Sequence, residues 1–224
     1  MSAPRPASTG SGARPRAGSS TGVPGAAALT AAEEVLAAVE ALREDARHEA
    51  ALGDAAGQNR NIVVSDAALA LRELVRASRE NVKLAVEAGG IEALVHALAN
   101  RPNSEAVQSK ATSALGDLAA HSPENQTLVG QRGGVEALIS ALRGHPNSVT
   151  VQEQAAEALG RAVHGHLENQ LLARQAAGIE AVILALEQHL ASELLQRHAS
   201  LVLKSLVAES YEGQLRAGRA GGLE

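Results

Sequence analysis

A 44-residue period runs through most of this chain. Gly90, Gly134, Gly178 and Gly222 recur at that step, and each is followed by an aliphatic residue and a glutamate: Ile91-Glu92, Val135-Glu136, Ile179-Glu180 and Leu223-Glu224. Ala67, Ala111, Ala155 and Ala199 keep the same step, as do Leu71, Leu115, Leu159 and Leu203. Asn81, Asn125 and Asn169 form a further column, with Gly213 in the fourth slot. Several columns in one register mark repeated supersecondary units, each too thin to bury its apolar face alone, so that stability comes from stacking.

The columns resolve into helices. After each Gly comes an apolar set at i, i+3, i+4 and i+7: Ile91, Leu94, Val95, Leu98; Val135, Leu138, Ile139, Leu142; Ile179, Val182, Ile183, Leu186. That spacing is the buried stripe of an amphipathic helix. A second stripe follows: Val107, Ala111, Ala114, Leu115, Leu118, with relatives at Val151, Ala155, Ala158, Leu159, Ala162 and at Leu195, Ala199, Val202, Leu203, Leu206. An earlier copy reads Val63, Ala67, Ala70, Leu71, Leu74. Arg101-Pro102-Asn103-Ser104 and His145-Pro146-Asn147-Ser148 are turns between the two stripes. Ser122-Pro123 is expected to cap a short helix carrying Leu128 and Val129. Gly89-Gly90 and Gly133-Gly134 then allow a sharp bend. Each unit therefore reads as short helix, bend, helix, turn, long helix.

Composition fits thin layers. The chain has one aromatic residue, Tyr211, so Leu, Val, Ile and Ala must fill the interior. It has no Cys, which excludes disulfides and Cys-bound zinc. Its formal charge of −5 becomes −8 once Arg5, Arg14 and Arg16, the only charges in the first thirty residues, are set aside. An acidic body argues against nucleic acid as a partner. No apolar run reaches the length of a membrane span.

Residues 1–29, rich in Ser, Gly, Pro, Ala and Thr, are expected to be a disordered tail. The tail lacks a secretory apolar core, and its arginines and serines without acids admit an organelle transit peptide as an alternative to a cytoplasmic or nuclear location. Thr30 and Glu33 suggest a capping box opening a helix with Val35, Leu36, Val39 and Leu42. With a polar loop near 52–59, that helix makes residues 30–58 an expected N-terminal cap. Repeats are expected over 59–224: a partial unit at 59–78, full units at 79–122, 123–166 and 167–210, and a truncated one at 211–224. Since the sequence halts where a new middle helix should begin, it reads as the N-terminal piece of a longer protein.

The pattern resembles the armadillo repeat family. The residues that carry the likeness are Glu80-Asn81, Glu124-Asn125 and Glu168-Asn169 in the first helix, the Gly-Gly-aliphatic-Glu-Ala-Leu start of the second, and Ala111 to Leu115 and Ala155 to Leu159 in the third. HEAT repeats have two helices per unit, and the short helix before each bend favours armadillo. The resemblance implies a right-handed superhelical all-α solenoid whose third helices line a concave groove, and a role in holding other proteins.

On the third helix the face opposite the core runs through positions 110, 113 and 117, because i+2 from Ala111 lies about 200° around the helix. Peptide-gripping armadillo proteins carry Asn and Trp ladders there. The matching Asn slots are Glu73, Asp117, Arg161 and Ser205, and the matching Trp slots are Leu69, Ser113, Glu157 and Leu201. Neither ladder is present, which counts against a nuclear-import or cargo adaptor for short basic peptides. Asp66, Lys110, Gln154 and His198 complete the expected groove. Among these, Asp117, Glu157, Arg161 and Lys110 are the expected specificity residues, whose charge reversal should weaken partner binding without lowering thermal stability. The alternatives are an ordinary solvated helix face and a spacer within a multidomain protein. His164-Gly165-His166 lacks a carboxylate-rich partner set, and His145 and His189 share a turn register with Arg101, so no metal site is expected. No nucleophile elbow, phosphate loop or acid–base pair is recognisable, so the chain is read as a non-enzyme with no cofactor.

Overall fold

The computed structural model describes residues 26–48, 54–120, 122–208 and 210–221, and all regular structure among them is helical. Two helices open the fold, α1 (Ala26–His48) and α2 (Asp54–Ala77). Three sets of short, middle and long helix follow: α3 (Arg79–Glu87), α4 (Gly90–Asn100), α5 (Glu105–Ala119); α6 (Pro123–Gln131), α7 (Gly134–Gly144), α8 (Val149–Val163); α9 (Leu167–Gln175), α10 (Gly178–Gln188), α11 (Glu193–Val207). A further short helix, α12 (Tyr211–Arg219), packs on α10 and α11. The long helices α2, α5, α8 and α11 stack one on the next, the middle helices α4, α7 and α10 form a second layer, and α1 packs on α2, α3 and α4.

Most of the expected stripes form the core, with Val95, Leu186 and Leu203 half-buried against it. Ile91, Leu94, Val107, Leu115, Leu118, Val135, Leu138, Leu159, Ile179, Val182, Leu195 and Leu206 are all buried, with Ala111, Ala155 and Ala199 between them. Burial of each large aliphatic side chain contributes about 1.5–3 kcal/mol.

Polar columns fasten the units. Ser78, Ser104, Ser122, Ser148, Ser192 and Ser210 each cap a helix by accepting from the backbone N–H three residues on. The Asn column ties each short helix to the long helix before it: Asn81 Nδ2 donates to Leu74 O (2.8 Å), Asn125 Nδ2 to Leu118 O (2.9 Å) and Asn169 Nδ2 to Ala162 O (2.8 Å). A Gln column at the same step ties each long helix to the middle helix before it. Gln108, Gln152 and Gln196 donate to Leu98 O, Leu142 O and Leu186 O. These amides satisfy carbonyls that helix ends leave without partners.

The bends use their two positions differently. The first is left-handed, with φ of +81° at Gly89, +78° at Gly133 and +60° at Ala177. The second needs close approach: a Cβ on Gly90 would lie 2.8 Å from the carbonyl oxygen of Ala85.

Several expectations at the N-terminal end are corrected. α1 begins at Ala26, because Ala26, Ala27, Ala28 and Leu29 are strong helix formers. Thr30 therefore lies inside the helix and does not cap it, and residues 26–29 do not belong to an irregular tail. The rest of the expected disordered tail, 1–25, lies outside the described residues. α2 begins at Asp54, within the segment expected to be a loop. Val63, Ala70 and Leu36 are exposed, and the buried side of α2 runs through Val64, Ala67, Ala68, Leu71 and Val75. The cause is that α2 packs on α1 in place of a regular middle helix, which turns its buried face. The middle helix expected to start at Gly222 lies outside the described residues.

Candidate partner-docking surface

The outward face of the long-helix layer is held together by charges that cross unit boundaries. Asp117 accepts from Arg72 Nε on α2 (3.2 Å) and from Arg161 Nη1 on α8 (2.5 Å). Arg161 Nη2 also donates to Glu157 Oε1 (2.7 Å). Lys110 Nζ donates to Asp66 Oδ1 (3.0 Å) and to Ser65 Oγ (3.3 Å) on α2. Ser113 Oγ donates to Gln154 Oε1 (2.5 Å). Long helices stacked side by side bring residues of matching register into reach, so a charge on one helix meets its counterpart about one period away.

This arrangement changes the standing of the expected groove residues. Asp117 and Ser113 are each only 5% exposed. Position on a helix wheel places a side chain relative to its own helix, whereas α2 and α8 pack against α5 and close over that side. Arg161, Glu157 and Lys110 remain half-buried but are engaged in the ladder. Reversing Asp117 is therefore expected to lower stability, contrary to the expectation from sequence. Asp66 and Glu73 are exposed, and Leu69, Gln154, His198 and Ser205 are half-buried. Ser205 Oγ donates to Leu201 O within its own helix. Leu201 projects from α11 with 55% exposure.

An open cleft of about 570 Å³ lies between α8 and α11. It brings together Glu157, Arg161, His198, Leu201 and Ser205 of the expected set, but not Asp66, Leu69, Glu73, Lys110, Ser113, Asp117 or Gln154. Ala156 and Gly160 supply small residues to its lining, with Lys204 at its rim. Its origin is a change in one column of the repeat. Gly116 of α5 lies so close to α8 that a Cβ there would come within 2.7 Å of Ala158 Cβ. One period on, Gly160 faces the larger Val202, and a Cβ on it would stand 3.5 Å from Val202 Cγ2. Ala158 has become Val202, so α11 stands farther from α8 at this point and leaves the cleft open.

Lys204 and Gln126 line this cleft and were not expected to. Lys204 occupies the slot held by Gly116 and Gly160, a break in the column that is visible in the sequence. Gln126 reaches it from α6, its Nε2 donating to Arg161 O (2.7 Å) and His164 O (3.0 Å). A contact between units of this kind has no local sequence signal.

Three histidines have structural roles. His166 replaces Ser as the cap of α9, its Nδ1 accepting from Asn169 N (3.3 Å), while its Nε2 lies 2.9 Å from Thr127 Oγ1. His145 and His189 meet the carbonyls of Pro102 and Pro146 in the preceding turns, each at 2.7 Å. Among the described residues no group of three or more His, Asp or Glu is placed to hold a metal ion. The carboxyl of Glu124 is held below the usual carboxylate range, first by its own backbone N–H and then by the Ser122 hydroxyl. A second exposed apolar set, Leu167 and Leu171 on α9 with Tyr211 and Leu215 on α12, lies on the short helices. No described helix is long and apolar enough to cross a membrane.

Residues 78–120 match the family model of the armadillo/β-catenin-like repeat. No curated protein is similar enough to match. Among solved structures, one engineered protein superposes with a TM-score of 0.69 at 26% identity, covering 88% of this chain and 43% of the other, so this chain spans less than half of that protein's length. A second engineered protein gives 0.65 at 23% identity over 87% of this chain and 78% of its own. A designed armadillo repeat protein gives 0.62 at 21% identity, with coverage of 89% and 84%.

Proposed function

We propose that this chain, an armadillo-repeat solenoid, is a docking scaffold that receives a segment of a partner protein on its long-helix layer, centred on the cleft between α8 and α11. The armadillo repeat is in general a protein-binding scaffold. The long helices α2, α5, α8 and α11 stack one on the next into a continuous layer. The observation that carries the reading is the cleft itself: an apolar-lined opening on that layer, with Leu201 exposed beside it. The ion ladder and the aliphatic core hold the walls in place before a partner arrives, so little conformational entropy is lost on docking. The scaffold carries out no chemistry of its own and works in the cytoplasm or nucleus. The basic-peptide adaptor reading gains nothing from the geometry, since Asp117 is buried in its own ion pairs and Arg161 stands in an Asn slot.

The test is affinity capture on the full chain, with wild type compared against Leu201→Asp and with thermal unfolding monitored. Loss of a reproducible partner at unchanged unfolding temperature is the expected result. A partner held equally by both proteins would contradict the reading.

A further inference from the structure

We infer that the cleft between α8 and α11 takes an acidic segment bearing an apolar side chain, an inference that rests on the docking reading above. The lining sets the apolar half of that requirement. Ala156, Gly160 and Leu201 leave room for an aliphatic or aromatic side chain, with Ala120 and Ala208 also bordering the space.

The charge balance sets the other half. The carboxylates nearest the cleft are already engaged: Asp117 by Arg72 and Arg161, and Glu157 by Arg161. Two acids and two bases cancel within that cluster. Lys204 at the rim is exposed and makes no ion pair or hydrogen bond among the described residues. Arg197, about two turns before it on α11 and outside the lining, contacts the ring of His198 (3.3 Å). The imidazoles of His164 and His198 add polar groups to the same lining. Among the described residues that line the cleft, the uncompensated charge is thus positive, on a chain whose body is acidic, and a local inversion of this kind selects for the opposite sign in a partner.

Helix ends do not reverse this sign. Terminal carbonyls attract cations when left free. Here Gln126 donates to Arg161 O and His164 O, and Gln170 donates to Val163 O, which occupies the end of α8. The chain's own N-terminal segment is a poor occupant, because it carries Arg5, Arg14 and Arg16 and no acid.

The experiment is selection of a phage-displayed library of random peptides on the immobilised full chain, followed by fluorescence anisotropy with the enriched peptides. Net-negative peptides sharing an apolar residue should dominate. Their binding should weaken by about tenfold or more on Lys204→Glu and on Leu201→Asp, persist on Lys204→Arg, and fall with added salt. Circular dichroism melts of each variant separate these effects from unfolding. Enriched peptides that are basic or uncharged but still lost on Leu201→Asp would overturn the acidic chemistry and leave the docking reading standing. No enrichment, or peptides indifferent to Leu201→Asp, would overturn both. Self-association of the chain that Leu201→Asp abolishes, with no peptide selected, would assign the cleft to a second copy and also overturn the inference.

Discussion

Gly116 on α5 and Ala158 on α8 pack so closely that a Cβ added at 116 would lie 2.7 Å from the Cβ of Ala158. Gly116→Ala must therefore push the two long helices apart, and a loss of about 1–3 kcal/mol is expected, as for other overpacked sites. Gly160→Ala meets only an ordinary contact with Val202. The same substitution there should be neutral or add up to about 1 kcal/mol from helix propensity. Urea denaturation of the two single variants checks the contrast, and equal losses would refute the account of how the cleft opens.

Ala177 holds a left-handed backbone, with φ of +60°, where the two earlier units have glycine. Ala177→Gly removes that strain and is expected to stabilise the chain by about 1 kcal/mol, despite glycine's greater freedom when unfolded. A rise in the thermal midpoint would agree, and a fall would show that the Ala177 methyl group contributes packing that outweighs the strain.

Asp117 joins three successive long helices through Arg72 and Arg161. Both arginines are about a third exposed, so solvent screens part of the interaction. Asp117→Ala leaves Arg72 without this acceptor and Arg161 with only Glu157, and a cost of about 1–3 kcal/mol is expected. Asp66→Ala removes a pair whose acid is 65% exposed and should change stability by less than about 0.5 kcal/mol. Chemical denaturation of both variants reads the difference directly.

These substitutions also show what could be read from the sequence. The glycine bends and the Ser122 cap were legible because their causes are local: Gly89 and Gly133 adopt positive φ, and Ser122 precedes Pro123 at the first helical position. The buried stripes were legible because 3.6-residue periodicity needs only one helix. Asp117 and Ser113 were misplaced because their burial is imposed by neighbouring helices about one period away in sequence. The cleft arises from the difference between Ala158 and Val202 as opposing residues, which only helix packing turns into a volume. Five residues of the expected groove line it; the other seven face elsewhere on the layer or are covered.

Glu124 titrates below the usual carboxylate range because its own backbone N–H and the Ser122 hydroxyl favour the ionised form. Its folded-state value is depressed, so its contribution is fully present above the unfolded carboxylate value and is lost as pH falls through the lowered one. A side-chain carboxyl NMR titration should show Glu124 ionising below the usual glutamate range. Ser122→Ala should shift it back part of the way, and no shift would leave the backbone N–H as the whole cause.

Hydrogen–deuterium exchange of the full chain, with and without a captured partner, tests the docking surface most directly. Partner-dependent protection concentrated at 154–161 on α8 and 197–205 on α11 is the expected result. Protection confined to Leu167, Leu171, Tyr211 and Leu215 on the short helices, with α8 and α11 unchanged, would contradict it and move the interface to the short helices.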